Sequence, residues 1–255
     1  MPFEKVHPEK LARSVVRQIE LLVLRGILRP GERLPPERDL SERLGVSRPS
    51  LREAIAELSR GGLLVSRAGD GLYVADVLGS AFSPALVRLF AEHDEAKSDY
   101  LSFRRDMEAL AAERAARLAS ATDLQVVDAI FTKMETAHAR RDSDGEARLD
   151  AEFHMAIIEA SHNVVMLHMM RSMFELLRAG VFYNRQMMFQ QMTRRETLLG
   201  QHRAINMALQ DRDPQAAGAA VRAHLDFVEN ALRDQQRAER NEAIARQRFH
   251  HEQER

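Results

Sequence analysis

Cysteine is absent from all 255 residues. That excludes a disulfide scaffold, a thiolate zinc finger, an iron–sulfur centre and a cysteine nucleophile. Tryptophan is absent too, aromatics make up 5% of the chain, and Gly and Pro number only 12 and 8. So few chain punctuators and β-favouring aromatics predict a mostly helical protein. No apolar run approaches the ~18 residues that span a bilayer, and the N-terminus carries no signal-peptide pattern. A cytoplasmic protein with no membrane partner is expected. Nor is there an excess of one charge. The net charge is −1; residues 1–76 carry 13 Lys and Arg against 11 Asp and Glu, and residues 77–255 carry 24 against 27. Any binding of nucleic acid must therefore rest on placed arginines and not on bulk basicity.

What is present is a chain with 45% hydrophobic and 29% charged residues, long enough for two small domains with packed cores. The first block, 1–76, reads as three helices and a hairpin. Leu11–Arg25 places Leu11, Val15, Ile19 and Leu22 on one face, and Gly26 ends the helix. Pro35-Pro36-Glu37 starts a second helix that runs to Leu44. Gly45-Val46-Ser47 is a tight turn, with Ser47 as N-cap of a third helix, Arg48–Arg60, whose inner face is Leu51, Ile55 and Leu58. Short strands at Leu63–Ser66 and Leu72–Val74 flank the turn Ala68-Gly69-Asp70-Gly71.

Two short helices around a glycine turn, followed by a hairpin, describe a winged helix-turn-helix, whose second helix lies in the DNA major groove. The first turn of that helix carries Arg48 and Arg52 four residues apart, so on one face. Arginine can grip guanine bidentately, and the small hydroxyls of Ser47 and Ser50 can reach bases or phosphates. Arg38 is placed to touch backbone, and Gly69 at the wing tip lets the main chain approach the minor groove. Asp70 puts a negative charge beside it. The alternative is a surface helix with solvated arginines. The runs Pro30-Gly31-Glu32-Arg33-Leu34-Pro35-Pro36-Glu37-Arg38-Asp39-Leu40 and Gly45-Val46-Ser47-Arg48-Pro49-Ser50-Leu51-Arg52-Glu53-Ala54 resemble the GntR family of bacterial transcription regulators. The resemblance implies DNA contacts at Arg38, Ser47, Arg48, Ser50, Arg52 and Gly69.

Residues 77–83 read as a linker, and the rest is helical: 84–92, 97–120, 122–141, 146–161, 163–191, 193–211 and 213–247, with breaks at capping or stop signals such as Asp142–Gly145. The expected fold is mainly α, with the winged module ahead of an all-α bundle at 84–235 and a charged tail at 236–255 that frays. Met166, Met169, Met170 and Met173 have the spacing of a buried helical stripe. Asp150 and His154 share a helix face at i, i+4, while His202 and His224 fall on two further helices. A carboxylate and three imidazoles converging in a bundle could hold zinc, nickel or manganese; packed helix histidines are the alternative.

Arg104-x3-Glu108, Asp150-Ala-Glu-Phe-His154, Glu159-Ala-Ser-His-Asn163, His202-Arg203 and His224-Leu225 resemble the all-helical FCD ligand-binding domain of the FadR-type branch. The segment 153–168 is similar to regulators of lactate utilisation and of the pyruvate dehydrogenase complex. The resemblance implies one divalent metal ion, most simply zinc, on Asp150, His154, His202 and His224, with Arg104 in a pocket for a small carboxylate effector. For Arg104, a helix-surface ion pair with Glu108 is the other reading. Asn184 is a weaker pocket candidate whose amide could bond a hydroxyl or keto oxygen. The expected protein is a homodimeric, operator-binding repressor released by lactate, glycolate or pyruvate. It is not an enzyme. The alternatives are a metal-dependent hydrolase and a regulator that senses the metal itself.

Overall fold

The computed structural model describes residues 8–76, 82–178 and 192–253. The described residues form ten helices and one hairpin, and the chain divides into two compact units, Met1–Ala81 and Phe82–Arg255.

In the first unit, α1 (Pro8–Leu24) packs on α3 (Arg48–Arg60), with α2 (Glu37–Leu44) between them in sequence. The core is Ala12, Val15, Val16, Ile19 and Val23 of α1 with Leu51, Ala54 and Leu58 of α3. Leu11 does not belong to it: at 43% exposed it faces out, and Ala12 takes the inner position. Val15 and Ile19 are buried as expected, while Val16 and Val23 broaden the stripe on the side of Ala12. Gly45, at φ 64°, closes α2 with its N–H on the Glu42 and Ser41 carbonyls, a left-handed cap that a β-carbon would strain. The hairpin pairs β1 (Leu64–Arg67) with β2 (Gly71–Val74) in antiparallel register, Leu64 opposite Val74 and Arg67 opposite Gly71. The extended segment 31–34 adds a third rung to β2, through Gly31 N–H to Val74 O, Val74 N–H to Glu32 O and Leu34 N–H to Leu72 O. A two-stranded ribbon is marginal alone; this rung ties the wing to the start of α2.

The second unit holds α4 (Pro84–Glu92), α5 (Asp94–Leu118), α6 (Ala121–Ala139), α7 (Ser143–Ala160), α8 (Val164–Arg178), α9 (Met192–Gln210) and α10 (Pro214–Gln253). Its core is rich in small residues, among them Ala109, Ala112, Ala115 and Ala116 of α5 and Ala217 of α10. Small side chains let α5 and α10 come close. Gly218 of α10 sits at such an approach: a β-carbon there would lie 2.4 Å from Glu113 Oε1.

Two boundaries differ from expectation. The break expected at Asp142–Gly145 is there but shorter: α6 ends at Ala139 and α7 begins at Ser143, three residues early, because the Asp142 carboxylate caps it, accepting from Gly145 N–H at 2.9 Å. At the other end of the unit, α10 continues through Gln253, past the expected helix end at residue 247. In the methionine stripe only Met170 is fully buried, Met166 and Met173 pack at the core's edge, and Met169 is half exposed. Most of the expected linker, the stretch 179–191 expected to extend α8, and Asn184 lie outside the described residues.

A buried ionic clamp joins three helices of this unit. Arg195, near the start of α9, donates through Nε to Glu146 Oε2 at 2.6 Å and through a terminal nitrogen to Glu146 Oε1 and the His138 carbonyl, each at 3.1 Å. The His138 ring lies 2.8 Å from Glu146 Oε1 through Nδ1. Both charged partners are about 5% exposed.

Candidate functional site

The first turn of α3 is built by its cap. Ser47 Oγ accepts from the Ser50 N–H, and Pro49 occupies an early helical position where its missing N–H costs nothing. Arg48 and Arg52 project from this turn and are more than half exposed, and both reach one carboxylate of α2. Arg52 Nε donates to Glu37 Oε2 at 2.9 Å, and an Arg48 terminal nitrogen lies 3.9 Å from the same oxygen. Exposed pairs of this kind contribute no more than about 1 kcal/mol, so Glu37 holds neither arginine firmly. Arg38 is more exposed still, within 3.6 Å of Asp39 and 4.0 Å of Glu42. Ser50 is buried, with its hydroxyl 3.0 Å from that of Ser47. Gly69 stands at the wing tip with φ 74° and open space around it. The acidic residue beside it is neighboured by cations: Asp70 accepts from the Tyr73 hydroxyl at 2.6 Å, lies 3.9 Å from Arg33, and the Arg67 guanidinium covers the Tyr73 ring at 4.2 Å. The wing's negative charge is therefore locally compensated.

In the second unit the structure brings Asp150, His154, His202 and His224 together from α7, α9 and α10, with one ligating atom of each within 4.8 Å of the others. All four are buried, Asp150 most accessible at 5%. Asp150 Oδ1 lies 3.1 Å from His202 Nε2 and 3.8 Å from His154 Nε2. His154 and His224 stack with centroids 5.1 Å apart, and Phe153 sets its ring edge against His202 at 5.3 Å. Burial, and then the neighbouring His202 and His154, hold His224 well below the usual histidine range. A neutral imidazole keeps the lone pair a cation needs.

Behind His154 lies a second layer that sequence reasoning gave no role at the cluster. Glu108 of α5 faces it, with Oε2 2.6 Å from His154 Nδ1, while Oε1 accepts from Arg104 Nε at 2.6 Å. Burial pushes the Glu108 carboxyl up, but Arg104 and His154 outweigh it and hold it at about 2. The Arg104–Glu108 pair, the alternative reading for a surface arginine, exists, but in the interior: Arg104 is 2% exposed, with its guanidinium 4.9 Å from the Phe174 ring centroid. On α9, Gln201 Oε1 lies 3.0 Å from His224 Nδ1. The i, i+4 spacing of Arg104 and Glu108 was the one sequence signal for this layer; a glutamine beside a histidine gives none.

A winged helix-turn-helix ahead of an all-helical bundle with a buried Asp/His cluster defines a class of DNA-binding regulators. The chain belongs to the GntR family of bacterial regulatory proteins: the family's own model matches residues 11–74, and an FCD domain matches residues 99–227. It is 34% identical over 232 residues to an Escherichia coli protein described as a candidate regulator of the L-lactate dehydrogenase operon, covering 89% of this chain and 88% of that one. It is 31% identical to the Glc operon transcriptional activator of E. coli, covering 88% and 89%. Among solved structures, a Streptococcus agalactiae GntR protein matches with a TM-score of 0.52 and 25% identity, over 88% of this chain and all of that one. The protein is a transcription regulator and not an enzyme, which removes the hydrolase alternative. None of its described helices is long and apolar enough to cross a membrane.

Proposed function

We propose that this chain is a repressor that reads a palindromic operator as a cytoplasmic homodimer and is released by a small carboxylate. Residues 1–76 form the reader, 84–235 the effector domain and 77–83 the linker. The reader's contacts are Arg38, Ser47, Arg48, Ser50, Arg52 and Gly69. Ser50 acts chiefly through the Ser47 cap, given its burial.

The observation that carries the proposal is the buried Asp150, His154, His202 and His224 cluster with Arg104 and Glu108 against it. Three imidazoles and one carboxylate suit a borderline divalent cation such as zinc, with nickel or manganese as other occupants. His154 Nε2 is buried without a hydrogen-bond partner, which a ligating nitrogen would satisfy on binding the ion. When bound, the ion supplies a positive centre for an anionic ligand. Arg104 gives Nε to Glu108, and its planar guanidinium has the geometry that suits a carboxylate. A ligand of a few atoms buries little apolar area, and such charge-assisted contacts supply most of its affinity. Lactate, glycolate and pyruvate have this chemistry, and the relative named for the L-lactate dehydrogenase operon favours the first. Asn184 is a further candidate for the ligand's hydroxyl or keto oxygen. Bound ligand favours one arrangement of the dimer over the operator-competent one.

The test is His202→Ala in the full chain. Metal content by mass spectrometry and L-lactate binding by calorimetry are expected to fall together, while operator binding in a gel shift persists. A full metal complement with normal release by lactate would return these histidines to a packing role. A second reading, in which the ion itself is the signal, is favoured by the tie of Arg104 to Glu108. It requires that a chelator alone changes operator binding with no organic acid present.

A further inference from the structure

We propose that Glu108 and Gln201 are positioning residues that select the ring nitrogen His154 and His224 offer to the cation, an inference that rests on the metal reading above. Each ring meets an oxygen acceptor on its Nδ1 side: Glu108 Oε2 at 2.6 Å for His154 and Gln201 Oε1 at 3.0 Å for His224. A neutral imidazole has one N–H and one lone pair. For His224, Nδ1–H donates to Gln201 Oε1, so Nε2 keeps the lone pair; for His154 the Glu108 carboxylate lies in ion-pair contact with Nδ1 and its charge favours the proton there, which leaves the lone pair on Nε2. For His154 that nitrogen is the one 3.8 Å from Asp150 Oδ1 and without a hydrogen-bond partner.

The two acceptors differ in charge, and that difference has a consequence. Glu108 is an anion whose other oxygen accepts from Arg104, so the carboxylate cannot rotate away without breaking a 2.6 Å ion pair inside the core. Its negative charge also favours a cation on the far side of the His154 ring, the arrangement of a carboxylate behind a ligating histidine. Gln201 is neutral and orients His224 through a hydrogen bond alone. Glu108 therefore links the arginine proposed for the effector to a ligand of the proposed metal. A ligand that drew Arg104 aside would disturb the orientation of His154. The cation and the organic acid would then be coupled through one side chain as well as through direct contact.

The experiment uses the full chain with Co(II) and zinc as probes. Glu108→Gln is expected to lower Co(II) affinity by about 100-fold and Gln201→Leu by about 10-fold, the span found for such outer partners. Both should change the visible Co(II) spectrum, while circular dichroism and operator binding stay as in the unaltered protein. Should Glu108→Gln not fold, Gln201→Leu and a measurement without substitution decide. In the zinc-loaded protein, nitrogen-15 NMR of the histidine rings should show Nδ1 protonated and Nε2 metal-bound for His154 and His224. Metal bound through Nδ1 of either ring would overturn the proposal. So would unaltered Co(II) affinity and spectrum in Gln201→Leu and in a folded Glu108→Gln. His202→Ala separates the two layers of argument: if it keeps its metal, the metal reading itself fails. If it loses metal while the Glu108 and Gln201 variants bind Co(II) normally, only this inference falls.

Discussion

Arg48 and Arg52 share the Glu37 carboxylate, which holds them side by side at the head of α3 without burying either. Arg48→Ala and Arg52→Ala are each expected to weaken operator binding, by about 1–3 kcal/mol where the arginine meets a base, with less loss on random DNA. A phosphate contact would weaken both DNAs alike and lower the salt slope by about 0.9. Unchanged affinity of both variants in gel shifts would remove α3 from the reading role. The placing of these arginines was legible because four-residue spacing on a capped helix fixes their face. The depth of Arg104 was not: the same spacing serves a surface pair or an interior one, and only the packing of α8, with Phe174 over the guanidinium, decides between them. Glu108 and Gln201 lay beyond reach for a related reason, since each meets a histidine on another helix and no period within one helix records such a meeting.

Helix α3 depends on its first turn, and that turn on Ser47. Ser47→Ala is expected to cost about 1 kcal/mol of stability in urea denaturation, and Ser47→Asn, an equally good cap, close to nothing. Because Ser47 is also a proposed DNA contact, the pair separates its two tasks. Operator affinity restored by Asn assigns the effect to the cap; affinity lost in both assigns it to the hydroxyl. Elements were read well where punctuation is strong, as at Gly45 and Ser47. They were read less well where one residue type serves two ends. Asp142-Ser143-Asp144-Gly145 has the composition of a turn, yet Asp142 is an N-cap and the glycine's N–H its donor. On α1, Val15 and Ile19 are inside as read, but Ala12 and not Leu11 belongs to the core; hydrophobicity alone ranks leucine first.

For the whole chain, the smallness of the reader's charge has a consequence. A net +2 over residues 1–76 gives little unspecific hold on DNA, which is the argument for two readers on one operator in the proposed dimer. Sedimentation at micromolar concentration is expected to show a dimer, and titration two chains per operator. A monomer bound one per operator would contradict it. The bundle's class was legible from sparse glycine, proline and aromatics, since little else can be built from such a chain.

The clamp of Glu146, Arg195 and His138 bears on how this bundle can change over generations. Removing one charge strands the other in the interior at about 3–5 kcal/mol, a large share of a domain's whole stability, whereas an apolar pair of similar volume is close to neutral. The two positions are separated by 49 residues and three helices take part. Either single replacement is a valley, and both sides of it are high ground. Descendants of this sequence are therefore expected to carry the acid and the arginine together or neither. Lineages that have crossed should hold two apolar side chains there, with the start of α9 free to settle at a new angle on α7.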